Sequence, residues 1–196
     1  NPELVILLTT GCEAICICAR AFNAIAIKSI NEKRHTAYLE NEEAYEYYFD
    51  MIFAQKFAQL NRREIIKIML KNLDLEYSED NIIESVHNYI DFEHLILRKG
   101  AISAQKDQLC IVSLNMRDGI LLCKGKGNEN WNYSSAHGAG RIMSREKARR
   151  TYNMKEYIES MKDVYSTTIC DGTLDECPMA YKGTEFIKKA LEPTIE

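Results

Sequence analysis

The strongest constraint on the fold is a long run of aromatic and aliphatic residues between Asn41 and Asn72. These residues recur at spacings of three and four, which places them along one side of an α-helix. Asn41 and the glutamates that follow it are typical of a helix N-terminus. The sequence therefore predicts one long amphipathic helix, whose apolar stripe holds Tyr45, Tyr48, Phe49, Ile52, Phe53, Phe57, Leu60, Ile65, Ile68 and Met69.

Shorter elements are predicted on both sides of this helix. A β-hairpin is expected from Cys110 to Gly127, because short apolar runs flank the tight-turn pair Asp118-Gly119. The other predicted elements are a buried strand at 4–10, a helix at 13–30 for which a strand stays open, a helix begun by Asp80 or Asn81, a strand at 94–100, helices at 144–150, 154–164 and 183–191, and a strand at 165–170. Together they predict a mixed α/β (α+β) fold in a single domain of residues 1–196, in which the long helix packs on the sheets.

Charge is distributed unevenly along the chain. The net charge of -4 argues against a protein that coats nucleic acid over its whole surface. Residues 98–159 nevertheless carry 12 Lys or Arg against 6 Asp or Glu, whereas acidic clusters lie in the first 97 residues. This basic segment is where an anionic ligand is expected.

The seven cysteines follow no disulfide framework, which predicts reduced thiols in a cytoplasmic protein. Cys12 and Cys16 lie four residues apart without a second pair, so burial is the preferred interpretation and a metal site the alternative. Arg20 and Lys28 interrupt the best apolar run, and no membrane span is predicted. Because the chain begins with Asn1, we expect it to be a piece of a longer protein.

His137 lies between small residues in the stretch SSAHGAGRIMSR. Gly138 and Gly140 lack a Cβ atom and let a ligand or another backbone come close. Arg141 and Arg145 are four residues apart, so a helix that starts here would present both guanidinium groups to phosphate oxygens on one face. The alternative is a glycine-rich turn that leads into a basic helix.

Six separate motifs follow one another along the chain: YYFDMIFAQKFAQLNRREI, VHNYIDFEH, RKGA, NMRDG, KGKGNENWNYSSAHGAGRIMSREKA and YSTTICDGTLDECPMAYK. Their order resembles that of the carboxy-terminal half of the RtcB family of RNA ligases. The chain resembles this family from about Tyr45 to Lys182, and the agreement of several separate motifs makes the resemblance specific. It implies an incomplete RtcB-like fold with stacked sheets flanked by helices.

The resemblance also implies an activity. RtcB ligases use GTP and Mn²⁺ to join an RNA end carrying a 2′,3′-cyclic phosphate or 3′-phosphate to a 5′-hydroxyl end. A histidine attacks the α-phosphate of GTP, the GMP passes to the RNA 3′-phosphate, and the 5′-hydroxyl displaces it. The expected partner is RNA, as tRNA halves in splicing or cleaved RNA in repair, and an activating helper protein is left open.

Individual residues receive roles from the same resemblance. His137 resembles the guanylylated histidine, and neutral imidazole is a competent nucleophile near pH 7. His87 resembles a metal-binding histidine, although a lone histidine on an apolar segment is more often a hydrogen-bonded core residue. Lys99, Arg141 and Arg145 correspond to residues that hold RNA phosphates. The residues implied to contact GMP are His87, Asn88, Ser113, Leu114, Asn115, Met116, Ile120, His137, Gly138, Ala139 and Gly140.

Some positions depart from the family pattern. Thr9–Glu13 stand where family members read His-Ser-Gly-Ser-Arg, which puts Thr9 in place of a second metal-binding histidine. Ser113 and Ala136 replace prolines, and Ile120 replaces a serine. We therefore expect the isolated chain to bind Mn²⁺ poorly. The alternative function is an inactive or truncated homologue that only binds RNA or nucleotide.

Overall fold

The computed structural model describes residues 39 and 41–196. The strand predicted at 4–10, the helix at 13–30, the pair Cys12 and Cys16, and the segment Thr9–Glu13 lie outside the described residues. The chain divides into two compact units, Asn1–Ile82 and Ile83–Glu196. The prediction of a single domain stays a prediction. Within the described part, no helix combines the length and the apolar character needed to cross a membrane.

The first unit contains the long helix α1, Asn41–Asn72, and its bounds agree with the predicted ones. Its apolar stripe, however, is not the side that is buried. Phe49 and Phe53 are 73% and 76% exposed, whereas Met51 and Ala54, which lie outside the stripe, are buried. Apolar residues occupy more than one side of α1, so their spacing identified the helix but not its buried face.

Three small antiparallel sheets form the framework of the second unit, and each has two strands. The pairs are β1 Asn88–Asp91 with β2 Ile96–Lys99, β3 Ala101–Ser103 with β6 Ser134–Ala136, and β4 Leu109–Ser113 with β5 Ile120–Lys124. The predicted hairpin is confirmed, because β4 and β5 pair across the turn that contains Gly119.

Short helices complete the second unit. They are α2 Arg145–Thr151, α3 Met154–Ser160 and α4 Thr184–Leu191, together with 3₁₀ segments at Glu129–Trp131, Asp171–Glu176 and Pro178–Ala180. Another 3₁₀ segment, Glu79–Asn81, lies in the first unit. The Ser144 hydroxyl accepts a hydrogen bond from the Lys147 amide at 3.2 Å and so fixes the start of α2.

Two hydrophobic clusters hold this unit together. One joins β3, β4 and β5 to α4 and contains Ile102, Val112, Leu114, Ile187 and Leu191, among others. The other joins α2 and α3 to the 3₁₀ segments between Asp171 and Ala180, around the fully buried Tyr157. The mixed α/β fold class is therefore confirmed.

Three local predictions were wrong. The helix expected from Asp80 or Asn81 is a single 3₁₀ turn, and the chain then extends into β1 because this segment pairs with β2. The strand expected at 165–170 is not formed; this segment makes turns and bends. The helix expected at 154–164 ends at Ser160. In the first case, pairing with β2 outweighs local propensity.

Candidate active site

Strand pairing brings His87 and His137 to the same turn, the histidine turn around Gly100. His87 immediately precedes β1, whose first residue pairs with the last residue of β2. His137 immediately follows β6, whose last residue pairs with the first residue of β3. Gly100 is the single residue between β2 and β3, so both histidines lie beside it. Two residues fifty positions apart in the sequence thus meet because of the sheet register.

The two imidazole rings stack on each other, with centroids 4.6 Å apart and an interplanar angle of 12°. His137 Nδ1 lies 2.7 Å from the carbonyl oxygen of Gly100. A carbonyl only accepts hydrogen bonds, so Nδ1 carries the proton and donates it. In the neutral ring the lone pair is then on Nε2. His137 is also exposed, so a ligand can reach the ring.

His87 is adapted to remain neutral. Burial lowers its pKa from the ordinary value of 6.5, and the neighbouring His137 and Lys99 lower it further. Protonation of His87 is therefore disfavoured near neutral pH. Neutral imidazole is also the form that can bind a metal ion.

The backbone of residues 137–139 is fixed against the end of β4. The Ser113 amide donates to the carbonyl of His137 at 3.2 Å, and the Ala139 amide donates to the carbonyl of Ser113 at 2.8 Å. A Cβ atom at Gly138 would lie 2.8 Å from the Ser113 carbonyl oxygen. Glycine is needed here because the two backbones approach too closely for a side chain.

The remaining residues implied to contact GMP have varied surroundings. Asn88 accepts a hydrogen bond from the Gly100 amide at 2.9 Å and so joins the histidine turn. Leu114 is buried in the hydrophobic core, and the Asn115 side chain accepts from the Arg117 and Asp118 amides within the hairpin turn. Met116 packs against the second cluster.

Ile120, the residue implied at a usual serine position, pairs across the hairpin with Ser113. Gly140 has a positive φ of 69° and has open space where a side chain would start. Lys99 is exposed beside the two histidines, where its charge acts on His87. The structure therefore gathers Asn88, Lys99 and Ser113 around the histidine pair, together with the backbone of residues 137–139.

Arg141 and Arg145 do not share a helical face, because α2 begins only at Arg145. Both guanidinium groups are instead paired with acidic residues of one segment. Arg141 lies 3.2 Å from Glu176, and Arg145 lies 2.8 Å from Asp175. The alternative, a turn that leads into a basic helix, is therefore the arrangement found, because Ser144 caps the helix three residues after Arg141.

Sequence reasoning overlooked Arg98, which is only 2% exposed. Its guanidinium donates to Asp91 at 2.5 Å, to the Tyr89 hydroxyl at 2.9 Å and to the Ser134 hydroxyl at 3.0 Å. These contacts connect β2 to β1 and β6, the strands next to which the two histidines lie. Its place beside Lys99 in the RKGA motif was the available signal.

Metal binding by the described residues is incomplete. No group of three or more His, Cys, Asp or Glu side chains among residues 39 and 41–196 is arranged to hold a metal ion. His87 offers one imidazole, and its lowered pKa favours the form that binds metals. The donors in the described part of the chain therefore do not fit a complete Mn²⁺ site.

Comparison with known proteins gives a consistent result. Residues 12–193 match the family model described as tRNA-splicing ligase RtcB. The chain is similar to RNA-splicing ligase RtcB of Escherichia coli (strain K12), at 29% identity over 175 residues, covering 81% of this chain and 43% of that protein. It is also similar to tRNA-splicing ligase RtcB of Nanoarchaeum equitans, at 28% identity over 184 residues, covering 76% of this chain and 38% of that protein. The chain thus spans about two fifths of the length of these relatives.

Proposed function

Since the chain belongs to the RtcB family, we propose that it forms part of an RNA ligase in which His137 accepts a guanylyl group from GTP. The observation that carries this proposal is the hydrogen bond between His137 Nδ1 and the Gly100 carbonyl, at 2.7 Å. This bond orients the ring and leaves the lone pair on Nε2, which makes Nε2 the nucleophilic atom.

The first step is an attack of Nε2 on the α-phosphate of GTP. A P–N bond forms, the bond to the leaving phosphate breaks, and pyrophosphate departs. The ring becomes positively charged while Nδ1 keeps its proton, and the Gly100 carbonyl stabilises that charge through the same hydrogen bond. The neutral state favoured for His87 keeps a second positive charge away from the stacked ring.

The later steps transfer the guanylyl group to RNA. An oxygen of the RNA 3′-phosphate attacks the histidine-bound phosphorus, which breaks the P–N bond and regenerates His137. The 5′-hydroxyl of the second RNA then attacks the activated 3′-phosphate, a phosphodiester forms, and GMP leaves. Lys99, exposed beside the histidines, suits contact with the phosphate at the RNA end.

Mn²⁺ is the metal that the family resemblance implies. In the family-based expectation His87 is a ligand, but the described residues provide no complete set of donors. The departure from the family pattern at Thr9–Glu13 favours the second candidate function, a homologue that binds RNA or nucleotide without ligating it.

The test is guanylylation of the natural polypeptide that contains these 196 residues. We expect incubation with GTP and Mn²⁺ to add the mass of one GMP through an acid-labile bond, and His137→Ala to abolish the addition. His94→Ala is the matched control, because His94 is an exposed histidine paired with Asp91 in the β1–β2 turn. It should retain the adduct.

Three results would decide against the proposal. An adduct that persists in His137→Ala removes His137 from the nucleophilic role. Loss of the adduct in His94→Ala as well would show that the loss in His137→Ala is not specific to the imidazole of His137. A wild-type protein that binds RNA and gains no adduct supports the binding-only homologue.

A further inference from the structure

Three arginines at four-residue spacing converge on one acidic segment. Arg141, Arg145 and Arg149 all contact the 3₁₀ segment Asp171–Glu176. Asp175 is bound to each of them. Its carboxylate pairs with Arg145 at 2.8 Å and with Arg149, and its backbone carbonyl accepts a hydrogen bond from Arg141. Asp175 therefore contacts all three arginines, which together form the arginine row.

The carboxylate of Asp175 has a stable negative charge. The residue is only 4% exposed, and hydrogen bonding from Arg145 lowers its pKa below the ordinary value although burial opposes this. Glu176 supplies a second carboxylate, which contacts Arg141 and Arg145. Two negative charges thus offset the repulsion among three guanidinium groups that would otherwise separate.

The three arginines differ in how many of their donors are used. Arg141 uses every guanidinium nitrogen internally: Nε donates to Met143, Nη1 to Glu176 and Tyr181, and Nη2 to Asp175. Arg141 is therefore held in place entirely by contacts within the protein. Arg149 uses Nη1 and Nη2 on the backbone carbonyls of Asp171 and Gly172.

Arg145 is different, because both of its acidic contacts are made through Nη1. Its side chain is 64% exposed. Within residues 39 and 41–196, the edge formed by Nε and Nη2 makes no hydrogen bond and is left for a ligand. That edge is the planar fork that binds a phosphate with two parallel hydrogen bonds.

We propose that Asp175 is a positioning residue, which holds the guanidinium of Arg145 by Nη1 so that its Nε–Nη2 edge faces a phosphate of bound RNA. This inference rests on the proposed function. In this inference Arg145 contacts the phosphate, and Arg141 has an internal structural role. Asp175 acts on RNA binding only through Arg145.

The direction of the effect separates positioning from simple electrostatics. Asp175→Asn removes a negative charge close to the arginine row, so long-range electrostatics alone predicts tighter RNA binding. Positioning predicts the opposite, because Arg145 loses one of its two charged partners and Glu176 alone holds its guanidinium less firmly. Asp171→Asn is the matched control: it removes the same charge from the same segment, but only the backbone carbonyl of Asp171 contacts the row.

The experiment measures binding of a 3′-phosphorylated RNA oligonucleotide to the natural polypeptide at several salt concentrations. We expect Asp175→Asn to weaken binding about tenfold, the scale of one charge-assisted hydrogen bond, and Asp171→Asn to leave it unchanged or slightly tighter. Arg145→Ala should weaken binding and reduce the salt slope by about one. In the Arg145→Ala background, Asp175→Asn should have no further effect.

RNA binding by Asp175→Asn that is as tight as wild type, or tighter, overturns the inference. So does an Asp175→Asn loss of affinity that is the same in the wild-type and Arg145→Ala backgrounds, which would indicate a general structural role. Should Asp175→Asn fail to fold, Arg145→Lys decides the matter. Lysine keeps the charge without the fork, so it should weaken binding, and wild-type affinity would overturn the inference. A wild-type protein without affinity for this RNA overturns the proposed function too, whereas normal wild-type binding with an unaffected Asp175→Asn overturns the inference alone.

Discussion

Replacing Gly138 by alanine should disturb both stability and the orientation of His137. The new Cβ atom would lie 2.8 Å from the Ser113 carbonyl oxygen, and the atom it meets is backbone rather than a flexible side chain. That carbonyl accepts the Ala139 amide at 2.8 Å, so moving it weakens a hydrogen bond as well. Overpacking and a weakened hydrogen bond together should cost about 2–3 kcal/mol in the free energy of unfolding.

The loss of stability can be measured by urea denaturation. Trp131 is the single tryptophan of the chain and belongs to the second unit, so its fluorescence follows the unfolding of that unit. The guanylylation assay then reports on His137. We expect Gly138→Ala to slow adduct formation under conditions in which the variant is fully folded, because the shifted backbone carries the imidazole away from the Gly100 carbonyl.

Gly127→Ala serves as the matched control. Gly127 has a positive φ of 63°, and a Cβ atom there would lie 2.9 Å from the backbone nitrogen of Lys106. Gly127→Ala should also lower the free energy of unfolding by about 2–3 kcal/mol. It should not slow adduct formation, because the atoms near Gly127 do not include those of His137. Wild-type stability of Gly138→Ala, or equal slowing in both variants, would refute the reasoning.

Three further predictions concern side chains outside the histidine turn. Hydrogen bonding from Arg117 holds the pKa of Asp118 below its ordinary value of 3.8. The charged Asp118 carboxylate therefore stabilises the fold above pH 3.8, and this contribution is lost as the pH falls through the folded-state pKa. Asp118→Asn should flatten the acid side of a plot of unfolding free energy against pH, and an unchanged plot would contradict this. Burial raises the pKa of Cys110 to about 11, whereas a hydrogen bond with Thr173 lowers the pKa of the exposed Cys170. Iodoacetamide should therefore modify Cys170 before Cys110, as peptide mapping can show, and faster modification of Cys110 would contradict this. Asp91→Asn leaves the buried Arg98 without its carboxylate and should cost about 3 kcal/mol in urea denaturation; a loss below about 1 kcal/mol would show that the hydroxyl partners suffice.

Local sequence patterns were sufficient for several elements. The bounds of α1 follow from regular apolar spacing and an acidic first turn, both properties of neighbouring residues. The β4–β5 hairpin follows from two apolar runs around Asp118-Gly119, because the turn itself sets the register. Family membership likewise came from the order of short motifs, which needs no coordinates.

Other features depended on contacts between distant residues. The segment before β1 carries a helix-like pattern, yet Asn88–Asp91 forms a strand because Ile96–Lys99 is available to pair with it. The spacing of Arg141 and Arg145 suggested one helical face, but it could not reveal that Asp175, thirty residues later, would bind both.

The candidate site divides in the same way. The sequence alone determined the chemistry at each position: an imidazole at 137 among small residues, a second imidazole at 87, and a glycine at 138. Only the tertiary structure decided that the rings stack and that His137 Nδ1 donates to the Gly100 carbonyl. The reason is that β1 pairs with β2, and β6 with β3, on the two sides of Gly100, and such pairings form between strands whose separation along the chain no local pattern encodes.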